Sequence, residues 1–379
     1  LFTQHLRLSL KVKTTAQQID RFFSLLNLNS SIKAYFEPLI QQIKPSYRAD
    51  AYAAKVISLT HISVNTFTLT LKPSSAWGLF KAGDHVPVHV IKDGAYFTRY
   101  FTIASSPQFF KQTGLIELCI RTKGPEHAQT SITQFMKDTI LAGSSLHLSK
   151  ATGEFHLHKN TQEKTLMIAG GSGITPFRAM LQQLSLRSEY RANITLLYYA
   201  RKEVDFLFAQ ELEDMQAQGI LDVHFINSQS QGHFCEAHIK AYCPDIQNRQ
   251  AYICGPGNMI EKAKEVLLLN GLPLGSIHDE YFGPSINSQQ LTSDNTFLAQ
   301  FKSLAESISA PSNKSLLHLA QESGLNPTFG CGIGVCHQCI CKKQSGQVRN
   351  IKTGKLSDQG PEEIQLCISQ PHSNVVLDL

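Results

Sequence analysis

Three cysteines, Cys331, Cys336 and Cys339, fall in the run CGIGVCHQC, and a fourth, Cys367, follows in LCIS. A CxxxxCxxC run plus one distant cysteine has the plant-type ligand spacing for a [2Fe-2S] cluster. A loop wrapped that tightly around two irons and their sulfides favours residues without side chains, and Gly330, Gly332 and Gly334 interleave the thiols. The chemistry this predicts is movement of electrons one at a time.

Two further runs could hold nucleotides. The turn Gly170 to Pro176, GGSGITP, follows the apolar TLMIA and opens FRAMLQQLSL. Glycines there let backbone amides approach a pyrophosphate at the positive end of a helix. CGPGNM, Cys254 to Met259, closes a later apolar run, and ligands on parallel sheets bind at the carboxyl ends of strands. Together the two turns predict one nucleotide crevice. Upstream, Arg99, Tyr100, Phe101 and Thr102 lead into TIASSP. They offer a guanidinium for phosphate, a ring to cover an isoalloxazine face and a hydroxyl for a flavin nitrogen.

These groups need several cores to position them, and 379 residues suffice for two or three domains. Residues 1–53 read as a basic helical extension, from the spacing in IDRFFSLLNL and IKAYFEPLIQQI. It is expected to pack on the next domain or to meet a membrane or partner. Residues 54–158 alternate in short segments such as VISLTHISVNTFTLTL, HVPVHV and LIELCIRT, separated by KPSS, KDG and KQTG. That pattern predicts an antiparallel β-barrel. Residues 159–283 alternate apolar strands with helices and predict an α/β doubly wound parallel sheet. A polar linker, 284–294, leads to a compact final segment, 295–379, that carries the cysteine loop.

Composition narrows the class. Thirty-five Lys and Arg against thirty Asp and Glu leave a formal charge of +5. It is spread without polybasic runs or aromatic ladders, which argues against nucleic acid. Nine cysteines, four of them cluster candidates, argue against a secreted disulfide scaffold and for the cytoplasm. No apolar run approaches the roughly 18–20 residues of a membrane span, and Arg7 interrupts the first ten residues where a signal peptide would be apolar. His233, Cys235, His238 and Cys243 lack the spacing of a zinc site and read as structural. Cys119 reads as core, and Cys341 as a packed thiol alternating with Cys339 across a strand.

On these motifs the chain resembles the ferredoxin-NADP reductase superfamily, fused to a C-terminal plant-type ferredoxin domain; the resemblance covers about residues 54–379. It implies a flavin barrel, a nicotinamide domain and a β-grasp ferredoxin domain. RYFT, 99–102, is similar to the family's RxYS/T motif, which implies phosphate contact for Arg99, flavin packing for Tyr100 and a flavin hydrogen bond for Thr102. IRTKGPEHAQTS resembles the second flavin motif, with Arg121 and Thr122 along the cofactor and Ser131 near its phosphates. GSGITP and CGPGNM resemble the nicotinamide motifs. They imply contacts from Gly171, Gly173, Thr175, Pro176, Cys254, Gly255 and Pro256, with Thr175 and Cys254 near the nicotinamide. HDEYF resembles a segment that lays a phenylalanine, here Phe282, on the flavin and sets a glutamate, here Glu280, beside it. Thr102, Cys254 and Glu280 would thus stand at the reacting centre. Gly332 departs from the ferredoxin pattern, where arginine is common.

The resemblance further implies FAD rather than FMN. Arg201 and Lys202 after ITLLYYA offer cations for a 2′-phosphate and favour NADPH over NADH, although Asp205 lies close behind. The domain order resembles reductase components of bacterial oxygenases and desaturases. The extension and the segment Trp77 to Gly94 look most like those that serve membrane di-iron fatty-acid or acyl-CoA desaturases. A soluble aromatic-ring or acyl-CoA oxygenase is the other redox partner, and a non-catalytic iron-sulfur redox sensor the third reading.

Overall fold

The computed structural model describes residues 51–92, 95–122, 131–158, 164–185, 193–281, 295–304, 307–312, 314–325, 327, 329, 334, 339–351 and 354–379. Residues 1–50 of the expected helical extension, Phe282, Cys331 and Cys336 lie outside the described residues, as do the linker residues 284–294, while Tyr52 and Ala53 begin a strand and not a helix.

The first sheet is antiparallel. Its strands β1 (Tyr52–Ser63), β2 (Thr66–Pro73), β3 (His85–Lys92), β4 (Ala95–Thr102), β5 (Ile116–Arg121) and β6 (Ser145–Leu148) lie in the order β4-β3-β6-β1-β2-β5. A bridge between Ile103 and Leu118 joins the two ends, so the sheet curls into a barrel. Alternation places Val56, Phe67, Leu69, Leu71, Val86, Val88 and Leu118 inside. VISLTHISVNTFTLTL is two strands, turned at Val64 and Asn65. Trp77, 3% exposed, plugs one end: its indole donates to the Ser149 carbonyl (2.7 Å) and its ring packs edge-on against Phe110.

A short helix α1 (Pro107–Thr113), absent from the sequence reading, follows β4. Ser106 caps it by accepting from Phe109 N, Pro107 occupies its first turn, and Gly114 ends it at φ +71°. Helix α2 (Ile132–Thr139) begins at the cap Ser131, which accepts from Gln134 N (3.3 Å).

The second sheet is parallel and five-stranded, with β7 (Lys164–Gly170), β8 (Ile194–Ala200), β9 (Asp222–Asn227), β10 (Arg249–Gly255) and β11 (Ile277–Tyr281) in the order β11-β10-β7-β8-β9. Odd and even positions feed separate cores. Met167, Ala169, Leu196 and Tyr198 face one way, and Leu166, Ile168, Leu197 and Tyr199 the other. Helices α3 (Ile174–Leu184), α4 (Ala209–Ala217), α5 (Glu236–Tyr242) and α6 (Gly257–Leu269) complete the unit. The chain runs outward from β7 to β9, then returns to lay β10 on the other side of β7. That reversal between β7 and β10 is where doubly wound sheets open a ligand crevice.

The third unit pairs β12 (Thr296–Phe301), β13 (Ile308–Pro311), β14 (Ile340–Ser345), β16 (Glu362–Gln365) and β18 (Val375–Leu377) in the order β13-β12-β18-β14-β16, beside the ribbon of β15 (Val348–Asn350) and β17 (Ser369–Pro371). Helix α7 (Leu316–Glu322) covers it. Leu316, Leu319 and Ala320 join Cys339, Cys341 and Cys367 in one core. Cys339 and Cys341 therefore share the inner side, a correction to the expected alternation. Side chains two apart on a strand point the same way, and it is Ile340 between them that faces out.

Candidate functional site

The barrel contributes the start of the site. On β4, Arg99 pairs with Val88, Tyr100 with Pro87 and Thr102 with His85. The Arg99 guanidinium donates to the Thr98 carbonyl (2.8 Å) and pairs with no carboxylate among the described residues. Burial lowers its pKa from the ordinary arginine value. Tyr100 packs edge-on against His85, ring centres 5.7 Å apart. Thr102 is 6% exposed and its buried hydroxyl has no hydrogen-bond partner among the described residues. An uncompensated cation and an orphaned hydroxyl on one strand are what a phosphate-bearing ring cofactor would satisfy.

The α/β domain brings up the other wall. Cys254 on β10 lies in register with Glu280 on β11 and Ala169 on β7, at the carboxyl ends of all three strands. Cys254 is fully buried. Burial first, then Glu280 and Asp279, push its thiol well above the ordinary range. Glu280 reaches across to the barrel: Oε1 stands 3.8 Å from His85 Nδ1, while Oε2 is buried and unpartnered among the described residues. Its carboxyl pKa is raised, chiefly by burial and further by Asp84, against the lowering effect of His85 and His156. His156 in turn bonds Asp84 (2.7 Å). Thr102 is next to His85 across β3 and β4, so these residues gather Thr102, His85 and Glu280 at the meeting of the two domains.

The two glycine turns meet at the switch point. A side chain on Gly173 would overlap the Cys254 carbonyl, so only glycine permits α3 to start so close to β10. Thr175 is 3% exposed and its hydroxyl donates to the Ser172 carbonyl (3.0 Å), bracing the turn. Pro176 is buried within the first turn of α3, and Gly255 and Pro256 lead into α6. Arg121 Nη1 lies 3.3 Å from where a Cβ on Gly171 would stand, so the end of β5 touches the nucleotide turn. Thr122 is buried and its amide donates to Asn65 O (2.7 Å). Arg201 and Lys202 are exposed just past β8, with the half-buried Asp205 closing the next short turn.

Sequence reasoning passed over the joint between these domains. Arg178 on α3 donates to Glu117 of β5 (2.7 Å), to the Ala104 carbonyl (3.1 Å) and to Glu211 of α4 (2.6 Å). Its guanidinium also lies 4.3 Å from the centre of the Phe208 ring. Gln182, one turn on, accepts from Ser106 N and donates to Glu211. Glu117, Cys119 and Arg121 occupy alternate positions of β5, making that face a rail on which the α/β domain sits. The signal was present as period-two polarity at an end strand, but nothing in one sequence names the partner.

In the third unit, Cys339 and Cys367 are 2% exposed each and their sulfurs lie 3.1 Å apart without a bond. Gly334 has φ +77°, and a Cβ there would strike Ile368 beside Cys367. Two inward thiols, with a glycine at positive φ packed beside one of them, fit a thiolate-held cluster. Cys235 and His238 instead sit in an aromatic group, with His238 Nδ1 3.0 Å from the Tyr199 hydroxyl.

Comparison with known proteins places these units. Residues 53–157 match the oxidoreductase FAD-binding domain, residues 167–265 the oxidoreductase NAD-binding domain, and residues 302–372 the 2Fe-2S iron-sulfur cluster binding domain. By these three domains the chain is an oxidoreductase of the ferredoxin-reductase type. This reductase is 24% identical over 376 residues to the glycine betaine monooxygenase reductase subunit of Chromohalobacter salexigens, covering 91% of this chain and 99% of that one. It is 24% identical over 341 residues to an NADPH oxidoreductase of Mycobacterium tuberculosis, covering 88% and 86%. Among solved structures, phthalate dioxygenase reductase superposes with a TM-score of 0.56 at 22% identity, over 86% of this chain and 98% of that one. The reductase is an NAD(P)H-dependent flavin and iron-sulfur oxidoreductase that binds FAD and a [2Fe-2S] cluster and passes electrons to an external partner. That activity displaces the reading as a non-catalytic sensor. When bound, the nicotinamide supplies a hydride, the flavin divides the electron pair, and the cluster carries single electrons. No described helix is long and apolar enough to cross a membrane.

Proposed function

We propose that this reductase feeds the terminal component of a multicomponent oxygenase, with NADPH as donor and the cluster as the exit. The observation that carries it is co-extension: the similarity runs over 91% of this chain and 99% of a glycine betaine monooxygenase reductase subunit, and over 74% of this chain and 83% of a vanillate O-demethylase oxidoreductase of Pseudomonas putida. The desaturase partner expected first leaned on residues 1–50, which lie outside the described residues, and on the segment from Trp77, whose indole is spent on closing the barrel. The oxygenase therefore takes its place.

Within that reading the chain's own groups have separate tasks. Arg99 and the capped start of α2 at Ser131 hold flavin phosphates, Tyr100 packs on the ring, and the Thr102 hydroxyl orients it. Gly171, Gly173 and Pro256 shape the crevice for the pyrophosphate, and the buried Cys254 and Glu280 keep water from the reacting face. Arg201 and Lys202 favour a 2′-phosphate. A reducing compartment such as the cytoplasm belongs to the same proposal, since thiolate ligands need one.

An anaerobic titration with NADPH, then NADH, followed by mixing with a purified soluble oxygenase component, its substrate and dioxygen, tests it. Bleaching of both flavin and cluster, with product formed in step with NADPH, is the expected result. Electrons that reach a dye but never an oxygenase, while a membrane desaturase is supported, would reverse the choice of partner.

A further inference from the structure

The side chain of Lys343 has no exposed surface. Along β14 positions 341 and 343 are buried while 340 and 342 are exposed, so alternation calls for an apolar residue where this lysine stands. Burying an ammonium without an anion is among the least favourable placements a fold can make. Nζ donates to the carbonyls of Asp358 (2.8 Å) and Gly360 (2.6 Å). No described carboxylate pairs with it, so two of its three donors have carbonyl partners while its charge is not cancelled.

Its place relates it to the cluster. Lys343 follows Cys339 by four residues on the same inner side, about 13 Å at the rise of a strand. The carbonyls it holds belong to the segment that leads into β16, and β16 runs directly to Cys367. The register sets Lys343 opposite Glu362, while Ile340, beside Cys339, lies opposite Gln365, so the charge sits on the same strand pair as the two ligands but at its other end. It is common to neither the flavin nor the nucleotide site.

We propose that Lys343 is a buried cation that tunes the cluster, favouring its reduced form and so setting the driving force for electrons to enter it. A cluster held by thiolates gains one negative charge on reduction, and net charge and surroundings set its potential. That backbone span is the least separation of charge and cluster; one positive charge at about 13–20 Å, with an effective dielectric constant of about 20, shifts that equilibrium roughly four- to tenfold, which for a one-electron couple is about 35–59 mV. The competing account is a neutral tether, in which Lys343 only ties the 358–360 segment to β14.

The inference rests on the reductase reading for the cluster alone. Cluster content is therefore read from visible absorbance before any potential is measured, and loss of the centre is distinguished from loss of its tuning. Spectroelectrochemical titration of the full-length flavin- and cluster-loaded protein then compares Lys343→Met, Lys343→Gln and Lys343→Arg. The glutamine amide keeps two donors for the two carbonyls and removes the charge, so it guards against a methionine variant that folds poorly. The expected result is a cluster roughly four- to tenfold harder to reduce in Lys343→Gln and Lys343→Met, little change in Lys343→Arg, and an unmoved flavin potential in all three. The shift should persist in 1 M salt, since buried charges are screened little. A Lys343→Gln cluster with the parent potential, or an arginine variant shifted as far as the glutamine one, overturns the proposal in favour of the tether.

Discussion

Replacing Arg178 with methionine should weaken the joint between the flavin and nucleotide domains by about 3 kcal/mol. The guanidinium, 11% exposed, is the only group between Glu117 and Glu211 to neutralise them among the described contacts. Burial disfavours its charge, yet Glu211 and Glu117 more than offset this and raise its pKa. Removing one member of a buried ion pair costs roughly 3–5 kcal/mol, because the survivors stay desolvated. Glu117 and Glu211 are 23% and 30% exposed, so they regain part of their hydration and the low end applies. Methionine fills the space of the arginine stem and keeps the loss electrostatic. Urea unfolding of the loaded protein, followed by flavin fluorescence, measures it. A cycle with Glu117→Gln should return a coupling of about 1.5 kcal/mol, within the span for directly contacting residues. Because α3 starts at the nucleotide turn, the variant should also raise KM for NADPH more than it lowers kcat. A loss under about 1 kcal/mol, with the two substitutions additive within about 0.5 kcal/mol, would show that the triad lies at the joint without holding it.

Four other outcomes are expected. Thr102→Val removes an orphaned buried hydroxyl and should stabilise the flavin-free protein by about 1 kcal/mol while weakening flavin retention; melts with and without FAD check both. Gly173→Ala should destabilise by about 1–3 kcal/mol and lower affinity for NADP+, and an unchanged affinity would refute the close approach to Cys254. Cys367→Ser should abolish the cluster absorbance yet leave NADPH-driven reduction of ferricyanide through the flavin. Glu280 has a folded-state pKa raised mainly by burial, so its contribution to stability is present below the unfolded carboxyl value, about 4.3, and is lost as pH rises through the folded value. Denaturation midpoints of Glu280→Gln should therefore gain on the parent between acid and neutral pH, and parallel profiles would be inconsistent with a carboxyl buried in this way.

Much of the architecture was legible because each unit declares its period. TLMIA and ITLLYYA are apolar but for one threonine each, as strands covered on both faces must nearly be, and the structure divides their apolar side chains between two cores. The glycine turns were readable because positive φ and close approach restrict the residue type. What stayed hidden is long-range pairing. Helix α1 had its signal in Ser106 and Pro107, masked by the flavin-like run beside it. His85 looked like one more strand residue until β11 brought Glu280 to it, and Arg178 looked like an ordinary helix surface charge. Cys341 was misjudged on geometry alone, since a strand repeats every two residues. Lys343 breaks the alternation of β14 outright, and that break was visible in KKQS without any hint of the carbonyls that accept it.

Buried charges in this protein fall into two kinds. Lys343 has two carbonyls but no described carboxylate, whereas Arg178 has two carboxylates and Arg249 has Asp245 and the Thr195 hydroxyl, so each of these arginines is satisfied by the chain itself. Arg99 and Glu280 are not: one holds only the carbonyl of its neighbour, and the other leaves an oxygen bare. With the Thr102 hydroxyl they bring unmet polar groups to β4 and to the contact of β3 with β11 through His85 and Glu280; among the described residues Arg349 Nε, in the third unit, is likewise buried without a partner. A fold tolerates such groups when a ligand present through most of its life completes them, and a ligand bound only by the folded state stabilises that state by mass action. The flavin is in that sense a structural partner of both domains, and its removal should loosen the barrel and the parallel sheet together. Separate melting of the two on flavin release would mean that the Arg178 joint, and not the cofactor, is what makes them one unit.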